Sequence, residues 1–274
     1  MKKILLAFDG THFSEGAFRF AAMLHRNGGA LLTGVFLPQV NFSNLWSYAS
    51  AAAGAGTPVI PLLEDEDLET IQQNIERFES LCQRHNIPYG VHRDYNDFAV
   101  PQLVKESRFA DLLIVGCESF YEEAGGEPNA YLKELLHLSE CPVLVVPEQF
   151  TAPDSVVLTY DGSASSVYAI KQFANLFPEL AANKALLVFV KDEEKTLPEE
   201  TNIKELVHLH YPNLSVLKVE LPKTGYFSAW VSERRNSILV SGAYGRSAFS
   251  QLFRKSFVSD VIRNHLMPVF VAHR

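Results

Sequence analysis

Residues 4–16 read ILLAFDGTHFSEG and residues 156–168 read VVLTYDGSASSVY. In each stretch an apolar run ends in Asp-Gly and continues with a hydroxyl residue, as Asp9-Gly10-Thr11 and Asp161-Gly162-Ser163. Two later runs, ADLLIVG (110–116) and CPVLVVP (141–147), have counterparts in NSILVSG (236–242) and MPVFVAH (267–273). The offset from Gly116 to Gly242 is 126 residues, and the offset from Pro142 to Pro268 is the same. Agreement across two separate runs and the segment between them marks a duplication. The period is far longer than that of a solenoid, so each copy is a whole domain of ordinary size.

The Asp pair is offset by 152 residues, so the first copy carries 26 extra residues, and these fall mainly within 39–67. The expected division is a first domain over 1–148 and a second over 153–274. Residues 148–154 contain Pro153 and no periodic pattern, and they read as a linker.

In the first copy the pattern predicts strands over 3–8, 30–37, 89–94, 112–115 and 142–146. Helices are expected over 14–26, 66–85, 98–107 and 131–137. Leu68, Ile71, Ile75, Phe78 and Leu81 recur every three or four residues, which defines the second of these helices. The second copy repeats the order, with strands over 155–159, 185–190, 215–219, 237–241 and 269–272, and helices over 165–176, 199–210, 227–236 and 249–264. Strands that are continuous apolar runs, alternating with helices, imply parallel sheets covered on both faces. The expected fold is α/β: two tandem, doubly wound, five-stranded parallel sheets of Rossmann-like type.

A net charge of −8 argues against a nucleic-acid or anionic-membrane surface. The chain opens MKKILLAFDG, directly in a strand pattern, and no apolar run is long enough to span a bilayer, so a cytoplasmic location is expected. Cys82, Cys117 and Cys141 have neither metal-ligand nor redox spacing and read as reduced, mostly buried thiols. No His pair has metal spacing, and neither Ser163 nor Thr11 has an identifiable base together with a third partner, which leaves a catalytic triad without support and no metal site expected.

Ligands of doubly wound sheets bind outside the carboxyl ends of the strands, where the strand order reverses. Asp161 follows the first strand of the second copy and Gly242 ends the fourth, so both belong at that edge. From Gly242 the chain reads GAYGRSAFSQLFRKSF. Gly242 and Gly245 allow close backbone approach to a ligand, and peptide N–H groups there can hold phosphate. Arg246, Arg254 and Lys255 add positive charge, and Ser247 and Ser256 add hydroxyls. Each feature has a plainer reading: Asp-Gly also suits a tight turn, the glycines also suit a loop without a ligand, and Ser256 also suits a helix start.

These residues resemble the universal stress protein family in its tandem two-domain form, over nearly the whole chain. ATP-binding members have Gly, two residues, Gly, nine residues, then Gly with Ser or Thr, and an Asp after the first strand. The resemblance maps Gly242, Gly245, Ser256 and Asp161 onto that pattern, with Lys255 where the third Gly is expected. It places Val190 beside adenine, Thr159 and Tyr160 in the turn before Asp161, and Arg246, Ser247 and Phe257 in the phosphate-binding segment. It implies ATP or another adenine nucleotide, with or without Mg²⁺, held by the second domain in a stress-response or signalling module without strong catalysis. Slow ATP hydrolysis stays open.

The first copy keeps Asp9 and Gly116, but Ser119 replaces the second Gly and Asn129-Ala130 replaces Gly-Ser. Its loop, CESFYEEAGGEPNAY, is acidic where phosphate would lie, so this copy is expected to have lost the nucleotide. The alternative reading of the whole chain is a scaffold or interaction protein with vestigial pockets or another small ligand. The resemblance also implies that strands 142–146 and 268–272 pair with each other, giving a pseudo-dimer within one polypeptide, and it leaves a homodimer open. Residues 39–67 emerge at the first copy's crevice, where Phe42, Trp46 and Tyr48 would cover it or dock on the other copy; AAAGAG over 51–56, with little to anchor it, equally suits a mobile loop.

Overall fold

The structure is a computed structural model. It describes residues 1–37, 65–93, 99–118, 120, 129–191, 197–220, 230, 233–234, 236–242 and 258–273. The part of the first copy's insertion over 39–64 lies outside them, so its expected role as a cover is not addressed.

The chain order is β1 (Lys2–Phe8), α1 (Glu15–Gly28), β2 (Ala30–Phe36), α2 (Asp65–Arg84), β3 (Tyr89–Arg93), α3 (Ala99–Ser107), β4 (Leu112–Gly116), α4 (Ala130–Leu138) and β5 (Val143–Val146). It continues with β6 (Ser155–Tyr160), α5 (Ala164–Leu176), α6 (Pro178–Ala181), β7 (Lys184–Lys191), α7 (Glu200–His210), β8 (Asn213–Glu220), β9 (Ser237–Gly242) and β10 (Val269–Ala272). Residues 258–263 are also helical. All ten strands form one sheet in the order β3-β2-β1-β4-β5-β10-β9-β6-β7-β8. Within each half the pairing is parallel, and β5 meets β10 antiparallel, with Leu144 opposite Phe270. The two expected five-stranded sheets are therefore one continuous sheet, and each closing strand covers the other's open edge.

Period-two alternation divides the side chains between two faces. Ile4, Leu6 and Phe8 of β1 join Ile114, Leu144, Phe270, Val240 and Leu158 in one core. Leu5 and Ala7 join Val115, Val145, Val269, Leu239 and Val157 in the other. Both cores run through the β5–β10 seam. The strands nearest it, β4, β5, β9 and β10, are buried along their whole length, which is why the sequence shows them as unbroken apolar runs.

The helices follow their caps and stripes. Ser14 accepts from the Ala17 N–H and Ser163 from the Ser166 N–H, which sets the starts of α1 and α5. In α2 the stripe Ile71, Ile75, Phe78 and Cys82 is fully buried. No described helix is long and apolar enough to cross a membrane. The expected linker is more than a spacer: Glu148 accepts from the Gly16 N–H at 2.9 Å, and Phe150 packs on Phe20 with ring centroids 5.4 Å apart. Without a periodic pattern of its own, the segment is ordered by contacts to α1.

Candidate functional site

In the second half the strand order runs β10-β9-β6-β7-β8, so the chain's first strand of this half, β6, lies between its fourth, β9, and its second, β7. The chain leaves β6 towards β7 and leaves β9 towards β10, in opposite directions, so the carboxyl ends of β6 and β9 form the switch point at which ligands of such sheets bind. Asp161 and Gly242 stand at those two ends, and the start of α5 lies between them.

The β6–α5 turn is built locally. Asp161 Oδ1 accepts from the Ser163 N–H at 2.9 Å, Gly162 takes φ 82°, and Ser163 caps α5. Gly162 is needed on two counts: its positive φ favours glycine, and a Cβ there would come within 2.7 Å of the Pro198 side chain. The Asp161 side chain is half-buried at the crevice.

Thr159 and Tyr160 are not turn residues, contrary to the sequence expectation. They are the last two residues of β6, because both keep their sheet register, opposite Val188 and Phe189. The Thr159 hydroxyl donates to the Val240 carbonyl at 2.9 Å, and the Tyr160 hydroxyl donates to the Pro198 carbonyl at 2.9 Å. The Tyr160 ring is buried, and burial, with Glu199 and Asp161 nearby, pushes its phenol pKa up, so it stays protonated.

Val190 lies on β7, in register with Val219. Gly242 ends β9 opposite Ala272, and a Cβ there would stand 2.5 Å from Ser165 C and Ser166 N. The close approach that this glycine allows is thus to the backbone of α5, where the sequence reading had assigned it to a ligand. Gly245, Arg246, Ser247, Lys255, Ser256 and Phe257 lie outside the described residues.

A groove of about 490 Å³ opens beside the β6–α5 turn, between α5 and α7. Tyr160, Gly162, Tyr168, Lys171, Asn202 and Leu206 are among its lining residues. Sequence reading did not single it out. The signal was the i, i+3 pair Tyr168 and Lys171 on α5, which has meaning only once α7 is known to lie opposite.

The first half answers the same geometry with its own side chains. Asp9 is 4% exposed, and its carboxylate is held from both sides. Oδ1 accepts from the His12 N–H at 2.8 Å, and Oδ2 lies 2.9 Å from His12 Nδ1. Asn74 of α2 ties the same turn by donating to the Gly10 and Thr11 carbonyls at 2.9 and 3.0 Å. The position matching His12 in the second half is Ala164. After β4, Glu118 Oε2 accepts from the Glu148 N–H at 2.9 Å, while the Glu148 carboxylate takes the Gly16 N–H and the Ser14 hydroxyl at the start of α1. Carboxylates therefore occupy donors at this edge that an anionic ligand would otherwise use.

Asn129, which replaces the motif's third Gly, has a structural task. Its Oδ1 caps α4 by accepting from the Leu132 N–H at 2.9 Å, and its Nδ2 donates to the Phe120 carbonyl at 2.6 Å.

The second half thus has a doubly wound sheet with an Asp after its first strand and a Gly ending its fourth, both at the carboxyl ends of the strands. No family model matches the chain. It is 22% identical to a universal stress protein of Synechocystis sp., over 98% of this chain and 99% of that protein. The crystal structure of a universal stress protein from Archaeoglobus fulgidus superposes with a TM-score of 0.66 at 18% identity, covering 100% of this chain and 96% of the other. A second universal stress protein structure from that organism, a complex with dAMP, covers 53% of this chain and 98% of its own at 14% identity, with a TM-score of 0.37. The resemblance to the universal stress protein family thus extends from the motifs to the full length of the chain and to its fold.

Proposed function

We propose that this protein is a stress-response or signalling module that binds an adenine nucleotide, ATP or a relative of it, at the carboxyl edge of its second half. The observation that carries this reading is the convergence of Asp161 and Gly242 at the switch point between β6 and β9. The segment after Gly242, with Gly245, Arg246, Ser247, Lys255, Ser256 and Phe257, supplies backbone amides, cations and hydroxyls suited to phosphate. Asp161 suits a ribose hydroxyl, and Val190 at the end of β7 suits the base.

The dAMP complex is a property of the Archaeoglobus protein, and the reading for this chain rests on its own residues. The first half is read as having lost the site, since His12, Glu118 and Glu148 engage the groups a nucleotide would need. In this reading the module works by binding, with no strong catalytic step.

Equilibrium dialysis of the full chain against labelled ATP, AMP and cAMP, each with and without Mg²⁺, tests the proposal. Saturation near one nucleotide per chain, competed by unlabelled adenine nucleotides but not by inorganic phosphate alone, is the expected result. Two equivalents per chain would contradict the loss of the first site. No retention of any adenine nucleotide would favour the scaffold reading.

A further inference from the structure

At the end of β4, the position that matches the start of the Gly242–Gly245 stretch, a thiol and a carboxylate of the first half meet an imidazole of the second. Cys117 and Glu118 follow β4, and His265 precedes β10. Because β10 runs antiparallel to β5, the start of β10 lies at the carboxyl end of the first half, and His265 crosses the seam to reach Glu118. One ligand-type atom from each of the three side chains lies within 4.8 Å of the others. Cys117 Sγ is 2.8 Å from Glu118 Oε2, and His265 Nδ1 is 3.2 Å from Glu118 Oε1. Glu118 is further fixed by the Glu148 N–H, which donates to Oε2 at 2.9 Å. His265 is held at φ 49° in the left-handed region.

We propose that Cys117, Glu118 and His265 bind one thiophilic divalent cation of the Zn²⁺ class, clamping the two halves of the sheet together. The donor set selects the ion. A thiolate with an imidazole and a single carboxylate suits Zn²⁺ or Co²⁺, whereas Mg²⁺ and Ca²⁺ require mostly oxygen donors. Tetrahedral coordination at ordinary Zn–S, Zn–N and Zn–O lengths of about 2.0–2.3 Å needs donor atoms about as close as these are, after a small side-chain adjustment. On binding, the Cys117 thiol proton leaves to solvent and the ion takes its place against the carboxylate.

The Glu148 N–H then serves as the outer partner that orients the carboxylate. Cys117 is buried, while Glu118 and His265 are 26% and 33% exposed, so two of the three donors are within reach of solvent. The site has no counterpart across the pseudo-two-fold: the offset of 126 carries Cys117 and Glu118 onto Ala243 and Tyr244. Linear spacing could not reveal it, because its ligands come from opposite halves of the chain.

The test is a titration of chelator-treated, full-length protein with Co²⁺ under a non-thiol reductant, following the thiolate-to-cobalt charge-transfer absorption. The proposal expects about one ion per chain, displaced by Zn²⁺. Cys117→Ser should abolish the band, whereas Cys82→Ser and Cys141→Ser should keep it. Loss of an outer partner alone weakens metal sites ~10–100-fold, so His265→Ala and Glu118→Gln should each weaken binding at least ~10-fold.

Circular dichroism checks that each variant is folded. Should Cys117→Ser fail to fold, the partly exposed His265→Ala decides the matter. Absence of the band, its survival in folded Cys117→Ser, or an affinity unchanged in His265→Ala would each overturn the proposal.

Discussion

A methyl group placed on Gly242 would meet the backbone of Ser165 and Ser166 at 2.5 Å, where no flexible side chain can give way. Gly242→Ala should therefore push α5 off the end of β9 and destabilise the protein by about 1–3 kcal/mol, the usual cost of overpacking, read as a lowered urea midpoint. The sequence made this residue conspicuous but could not separate a glycine that admits a ligand from one that admits a helix. Asp9 has the same ambiguity. Its presence was legible, but its engagement by His12 was not, since nothing in a linear Asp-Gly-Thr-His predicts which way the ring turns.

His273 carries a pH effect that the sequence did not signal. Its Nε2 is buried without a hydrogen-bond partner among the described residues, and burial, aided by His137, holds its pKa below the ordinary value of about 6.5. The unfolded chain therefore takes up the proton first as pH falls. The stability associated with neutral His273 is fully present above about pH 6.5 and is lost as pH falls through the depressed folded value. His273→Gln should flatten the decline of Tm as pH falls below about 6.5. An unchanged slope would show that other groups set it.

At the scale of elements, the closing strands carry the architecture. Phe270 of β10 is fully buried opposite Leu144 and packs edge-on against Phe173 and Phe177, with centroids 5.3 and 5.9 Å away. Phe270→Ala would leave a cavity where the seam, α5 and α6 meet, and a loss of about 3–5 kcal/mol is expected in denaturant unfolding. Long periodic elements were legible: the helix expected over 66–85 is α2 at Asp65–Arg84, and all ten strands were anticipated. What escaped was short or depended on its partners. The single turn α6 starts at Pro178 and offers four residues, too few for a periodic signal. The segment after β5 owes its order to Glu148 and Phe150 docking on α1.

For the whole molecule, the two halves share one topology and differ at their edges. The topology was legible because buried parallel strands leave continuous apolar runs that repeat at a fixed offset. The divergence of the two edges was legible as charge, an acidic stretch against a basic one, and as Ser119 and Asn129 in place of motif glycines. The physical form of that divergence, His12 on Asp9 and Glu148 on the start of α1, required the packing of segments distant in sequence.

The central claim is that one half binds adenine nucleotide and the other does not. Its most direct test is calorimetric titration of ATP with Mg²⁺ into the wild-type chain and into two variants shown to be folded, Gly245→Trp and Ser119→Trp, which stand at equivalent positions of the two copies. The account predicts about one site per chain, abolished by Gly245→Trp and untouched by Ser119→Trp. No binding heat at several temperatures, or binding lost in Ser119→Trp and kept in Gly245→Trp, would contradict it.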